Sequence, residues 1–173
     1  MIDNDQSLPN LEERALSGKD SRMTLQSDFP QHLFGSLKLL QTVDDDSTCF
    51  PLDLLERFHN LETLIRRRCS CEEVFSNGGY LKKHVRKFTM IKHLDLHKFN
   101  HLKQLWKQDS KLDSFVQCLE ILNVHYCQNL LYLWPSSSVS FGNLKELLVL
   151  RCKEFDELSN LLHSKKSRAT VVL

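Results

Sequence analysis

The segment Leu119-Glu120-Ile121-Leu122-Asn123-Val124-His125-Tyr126-Cys127 decides how this chain reads. Its apolar residues stand at positions one, four and six, and a cysteine closes it at position nine. The same spacing returns at Leu144, Leu147, Val149 and Cys152, and at Ile91, Leu94, Leu96 and Phe99. It returns with one fault at Leu61, Leu64, Arg66 and Cys69, and more weakly at Leu37, Leu40 and Thr42 and at Leu11, Arg14 and Leu16. The six copies start at 11, 37, 61, 91, 119 and 144, with spacings of 26, 24, 30, 28 and 25 residues. A fixed period of this length is the signature of a stacked-repeat architecture.

A second layer supports the register. Beyond position nine, apolar residues follow in steps of three: Leu102 and Leu105, Leu130 and Leu133, Phe155 and Leu158. An aromatic precedes several copies, as Phe34, Phe58, Phe115 and Phe141, and Phe-x-x-Leu opens three of them. Within x-L-x-L-x, alternate side chains point to opposite faces of a strand. The leucines therefore point inward and the intervening residues face outward. One such unit cannot bury its leucines alone. Neighbours stacked about 4.8 Å apart build a parallel sheet over a continuous core.

The predicted fold is α/β: a leucine-rich-repeat solenoid, a curved arc with the sheet on its concave face and short helices or irregular turns on its convex side. The repeats span residues 1–162, and the tail 163–173, which lacks the pattern, is expected to fray. Phe50, Leu52, Leu54, Leu55 and Phe58 are spaced for a short convex helix. Ser76-Asn77-Gly78-Gly79 reads as a turn. Arg14 and Arg66 stand where leucines belong, which speaks against those two strands. An array with no polar caps is expected to unravel from its ends or to aggregate.

Composition agrees. Leucine supplies 32 of 173 residues, about twice its usual share. Hydrophobic residues make up 41% and charged residues 26%, enough for a core beneath a solvated surface. The net charge of +1 gives no global field for nucleic acid or an anionic membrane. The halves differ mildly, residues 1–86 carrying −3 and 87–173 carrying +4. No apolar run approaches the roughly 18 residues of a membrane helix. The N-terminus has no basic, apolar secretory pattern. The six cysteines are therefore expected to stay reduced, in the cytoplasm or the nucleus.

Phe58-His59-Asn60-Leu61-Glu62-Thr63-Leu64, Leu119 to Cys127, and Phe141-Gly142-Asn143-Leu144-Lys145-Glu146-Leu147 resemble the C-terminal leucine-rich repeats of plant intracellular immune receptors. Those are the coiled-coil, nucleotide-binding, leucine-rich-repeat disease resistance proteins. Cys127-Gln128-Asn129-Leu130-Leu131-Tyr132-Leu133, followed by Pro135 and three serines, is similar to their C-x-x-L-x-x-L unit. The resemblance covers residues 8–162 or so. It implies a non-catalytic, cofactor-free module that recognises a protein: a pathogen effector, a host protein or the receptor's own nucleotide-binding module. The sequence contains no GxxxxGK[ST] phosphate loop and no coiled-coil heptads. It thus looks like a fragment of such a receptor or a truncated gene product. The substrate-binding repeats of an F-box ubiquitin-ligase receptor are one alternative, and a cysteine hydrolase is another.

Several local patterns have plainer readings. Cys69, Cys127 and Cys152 share position nine, where a thiol can lie under the turn and satisfy backbone groups. Cys69-Ser70-Cys71 near His59 and His84 lacks the second cysteine pair of a zinc site. Asp44-Asp45-Asp46 lacks the glycine and distal glutamate of a calcium loop. The outward positions seven and eight are more informative. From the third repeat they read Arg67/Arg68, His97/Lys98, His125/Tyr126 and Leu150/Arg151. Stacked in a parallel sheet, they form one basic and aromatic stripe that folding does not call for. Arg67, Arg68, His97, Lys98, His125, Tyr126 and Arg151 are the candidate protein-binding residues.

Overall fold

The computed structural model describes residues 12–18, 20, 34–44, 49–51, 58–76, 91–105, 117–133, 142–155 and 168–172. Six five-residue strands fall on the six repeats: β1 (Glu13–Ser17), β2 (Leu39–Val43), β4 (Thr63–Arg67), β6 (His93–His97), β7 (Ile121–His125) and β8 (Glu146–Leu150). They pair in parallel and in sequence, each repeat position facing the same position of its neighbour, as in Leu94↔Leu122 and Leu122↔Leu147. Two-residue strands β3 (Phe50–Pro51) and β5 (Phe75–Ser76) form a small second sheet. The period-two alternation explains the burial: Leu94, Leu96, Leu122, Val124 and Val149 are wholly inaccessible and Leu147 nearly so. Each full burial of such a side chain contributes about 1.5–3 kcal/mol.

Four of the three-residue steps in the sequence are tight turns. The N–H of Leu37 donates to the Phe34 carbonyl, and Leu61 to Phe58, Leu130 to Cys127 and Phe155 to Cys152, at 3.1–3.2 Å. An i to i+3 hydrogen bond closes each turn, with an apolar side chain buried at both ends. Phe34 and Phe58 meet edge to face with centroids 5.4 Å apart. The asparagine before the leucine has its own task. Asn60 donates to the Gly35 carbonyl of the previous rung, and Asn143 donates likewise to Gln117. On the convex side a second row of bonds runs from Phe50 to Val74 to Leu105 to Leu133. Leu102, Leu105, Leu130 and Leu133 are buried beneath it.

The structure corrects four expectations. First, Arg168–Val172 is not a frayed tail but a seventh rung, β9, parallel to β8 with Ala169 opposite Leu147 and Val171 opposite Val149. Its sequence, Arg168-Ala169-Thr170-Val171-Val172, lacks the leucines that mark a repeat. Second, Phe50–Pro51 is strand rather than the start of a helix, since Phe50 packs edge to face on Phe75 of the paired segment. Residues 52–57 lie outside the described residues, as do Phe115, Phe141, Leu158 and most of the predicted turn after Ser76. Third, β1 forms despite Arg14, which is exposed although it lies in register with the buried Leu40.

The fourth correction is β4, which forms around a wholly buried Arg66. Burying a charge is tolerated only where polar groups replace water. Nε donates to the Thr42 hydroxyl at 3.4 Å, and Nη1 donates to the Val74 carbonyl at 2.8 Å. The guanidinium also lies 5.4 Å from the Phe50 ring centroid and 5.7 Å from that of Phe99. Thr42, the other polar residue at position six, is thus the neighbour that Arg66 requires.

Candidate protein-recognition surface

The outward face has two edges with different chemistry. On the upstream edge, position two reads Glu12, Lys38, Glu62, Lys92, Glu120 and Lys145, a strict alternation along the stack. Lys38 pairs with Glu12 at 2.8 Å, Lys92 with Glu62 at 3.1 Å and Lys145 with Glu120 at 2.5 Å. The hydrogen bond and charge of Glu12 raise the Lys38 pKa, and those of Lys145 lower that of Glu120. Beneath them the backbone is equally regular. The carbonyls of Glu12, Lys38, Glu62, Lys92 and Glu120 each accept two N–H groups from the next rung. This edge neutralises itself.

On the downstream edge the strands end at position seven and the chain turns at position eight. Asp44, Arg68, Lys98, Tyr126 and Arg151 all stand there in the left-handed region, with φ between 54° and 57°. That conformation crowds the Cβ of an L-residue and is normally left to glycine or asparagine. The turn is held by an inter-rung bond: each of Asp44, Arg68, Lys98 and Tyr126 donates its N–H to the position-seven carbonyl of the next rung, at 2.8–3.0 Å. The buried thiol at position nine fills the space below. Cys69, Cys127 and Cys152 donate to the carbonyls of Arg67, His125 and Leu150 at 3.5–3.7 Å. Hydrogen bonding from neighbouring thiols, and then burial, push Cys71 and Cys127 above the ordinary thiol range, the opposite of what a nucleophile needs. Among the described residues no group of three or more His, Cys, Asp or Glu is arranged to hold a metal ion.

The candidate residues fall together along this edge. Arg67, His97 and His125 are successive register partners at position seven. The His97 ring lies 6.1 Å from His125 and meets Tyr126 edge to face at 5.2 Å. Arg151 covers the Tyr126 ring at 5.4 Å and donates to its hydroxyl at 3.2 Å. Desolvation, then the charges of His125, Lys98 and Arg67, lower the His97 pKa, against a weaker opposing pull from Asp95. The imidazole is thereby kept neutral near pH 7. Gln41, Val43, Arg67, Arg68, His97 and Lys98 line a solvent-open depression of about 190 Å³.

Arg68 is gripped by Asp44, with Nε and Nη2 each 2.6 Å from a carboxylate oxygen, so its charge is already answered. No such partner is found for Arg67 or Lys98 among the described residues. The upstream alternation lies at position two and Gln41 at position five, outside the positions seven and eight that carry the predicted stripe. Aligning the six repeats on position two would have revealed the alternation.

A family model described as plant disease resistance protein RPS2-like, leucine-rich repeats, matches residues 10–153. The chain belongs to this family of plant resistance-protein repeats. The matched span includes six of the seven rungs and the whole candidate stripe. No curated protein and no solved structure matches the chain. Repeats of the RPS2-like family are modules of immune receptors, and leucine-rich repeats generally mediate contacts between proteins. Among the described residues, no helix of this resistance-protein repeat domain is long and apolar enough to cross a membrane.

Proposed function

We propose that this chain is a non-catalytic sensor module of a plant immune receptor, acting in defence against pathogens and binding an acidic protein surface along the downstream edge of its concave sheet. The observation that supports this reading is the charge contrast between the edges. The upstream edge pairs every lysine with a glutamate. The downstream edge carries Arg67, Lys98 and Arg151 with histidine and tyrosine between them, and five non-glycine residues in a conformation that favours glycine. Strained backbone and surplus like charge both oppose folding, so a partner is the simplest reason to keep them.

The partner is a pathogen effector, a host protein or the receptor's own nucleotide-binding module. A partner with different affinity for the resting and active receptor shifts that equilibrium, which is how a module without a nucleotide switch would transmit a signal. Six cysteines with no disulfide between them suit a reducing compartment, and we propose the cytoplasm or nucleus on that basis.

The test is a binding titration of Arg67→Glu/Lys98→Glu/Arg151→Glu against the nucleotide-binding module of a plant resistance protein, at two salt concentrations. The expected result is a slower association and a lost salt dependence, with folding changed by no more than about 0.5 kcal/mol. Unchanged affinity at both salt concentrations removes that module as the partner of this edge.

A further inference from the structure

The depression between β2, β4 and β6 has a charge balance that selects its occupant. Arg68 is neutralised by Asp44, and His97 is held neutral. Arg67 and Lys98 remain, two exposed cations flanking one hollow with no carboxylate partner among the described residues. Asp95, at position five of its repeat, stands two residues back along β6 from His97, about 7 Å away by the strand rise, and is not among the lining residues. Position seven of β2 is Val43, so that wall carries no charge, and Gln41 supplies an amide.

We propose that this depression binds a dianionic phosphoryl group carried by a side chain of the protein partner. The inference rests on the protein-recognition reading above and names the chemistry of one contact within it. A phosphoryl group carries nearly two negative charges and three strong acceptor oxygens. Two unanswered cations match that charge, whereas a single carboxylate would leave one uncompensated. The Arg67 guanidinium offers paired N–H donors of the geometry that phosphate accepts. Lys98 offers a compact point charge, and neutral His97 and Gln41 each offer a further N–H. The volume of about 190 Å³ admits a phosphoryl group with its ester carbon. Asp44 faces the same hollow through Arg68 and works against an anion there.

The full chain is titrated with phenyl phosphate and, at the same ionic strength, with benzoate, following the His97 imidazole resonances by NMR. Phenyl phosphate should bind at least about tenfold more tightly than the monoanion, and Lys98→Gln should lose about tenfold, the worth of one charge-assisted contact. Asp44→Ala, by freeing Arg68, should tighten binding several-fold, a gain that unfolding cannot mimic. Equal affinity for dianion and monoanion overturns the proposal, as does an Asp44→Ala chain that binds no better. A degenerate phosphopeptide pool should be retained, and its phosphatase-treated copy should not. Inorganic phosphate binding as tightly as the peptides would overturn the protein-borne source. Arg151→Glu lies outside the depression and should leave phenyl phosphate binding unchanged. If it weakens partner binding while the wild type ignores phenyl phosphate, this proposal fails and the broader reading stands. If phenyl phosphate binds but no downstream reversal affects any partner, the broader reading fails instead.

Discussion

The two edges of the concave sheet are made by the same repeat, one rung apart from the next, yet they solve the problem of stacked charge in opposite ways. A parallel stack places equal positions about 4.8 Å apart, so any residue type repeated at one position meets itself. Position two answers with alternation, and three Glu–Lys pairs cross from rung to rung. Positions seven and eight leave Arg67, Lys98 and Arg151 in a row and answer only Arg68, through Asp44. The upstream edge shows that the fold can carry charge without conflict. The downstream edge therefore marks a choice that stacking did not impose.

One register runs from edge to edge, held by the core between them. Leu122→Ala should remove about 2–5 kcal/mol of stability in a urea melt, transfer and cavity together. A loss below about 1 kcal/mol would mean that the rungs are not aligned as described, and the comparison would break. Arg66→Ala tests the one charge inside that core. It removes the Thr42 hydroxyl's partner and one of the two donors to the Val74 carbonyl, which keeps the Phe50 N–H, and it opens a large cavity, so a loss of about 2–4 kcal/mol is expected. Thr42→Val/Arg66→Leu, which removes both partners, should recover most of it.

A smaller effect sharpens the contrast directly. Lys98→Gly relieves a left-handed residue and should raise stability by up to about 1 kcal/mol in thermal melts, while partner binding falls. A destabilised Lys98→Gly chain would show that the lysine side chain supports the fold, and the downstream edge would lose its claim to be functional.

Titration separates the edges further. His97 has a folded-state pKa below its ordinary value, so the unfolded chain binds the proton first as pH falls. Stability should therefore be full above the ordinary histidine range near 6.5 and decline as pH drops through the lowered value. His97→Gln should flatten that slope in denaturation curves at pH 5.5 and 7.5. On the upstream edge the signs differ at the two ends. The raised Lys38 supports the fold below its ordinary pKa and loses that support as pH climbs through the folded value. The lowered Glu120 supports it above the ordinary carboxylate range and loses that support in acid. Between those limits the ladder should be silent. The smallest expected effect is that of salt: screening weakens the upstream pairs and relieves the downstream repulsion, so the melting temperature should hardly move between low and moderate ionic strength. A large rise with salt would mean that downstream repulsion dominates.

Leu94, Leu96, Leu122, Val124, Leu147 and Val149 were legible as core from spacing alone, because a strand has only two faces and the repeat names which one is buried. The same spacing placed Arg67, His97 and His125 in one column, since register in a parallel stack is fixed by the period. The role of the position-nine thiols was likewise readable from their place at the strand end. The family, too, lay in the residues themselves.

Tertiary structure decided what depends on partners distant in sequence. Arg66 looks like a fault in its repeat until Thr42, Phe50, Val74 and Phe99 surround it, and those contacts come from neighbouring rungs and the convex return. Arg168–Val172 has no leucine to announce a repeat, and only the exposed edge of β8 draws it into a seventh rung. Asp44 and Arg68 are 24 residues apart, and their ion pair reduces a stripe of like charges to two unanswered ones beside a hollow. Local spacing fixes which way a side chain points, whereas burial, pairing and the shape of a site come from what the fold brings against it.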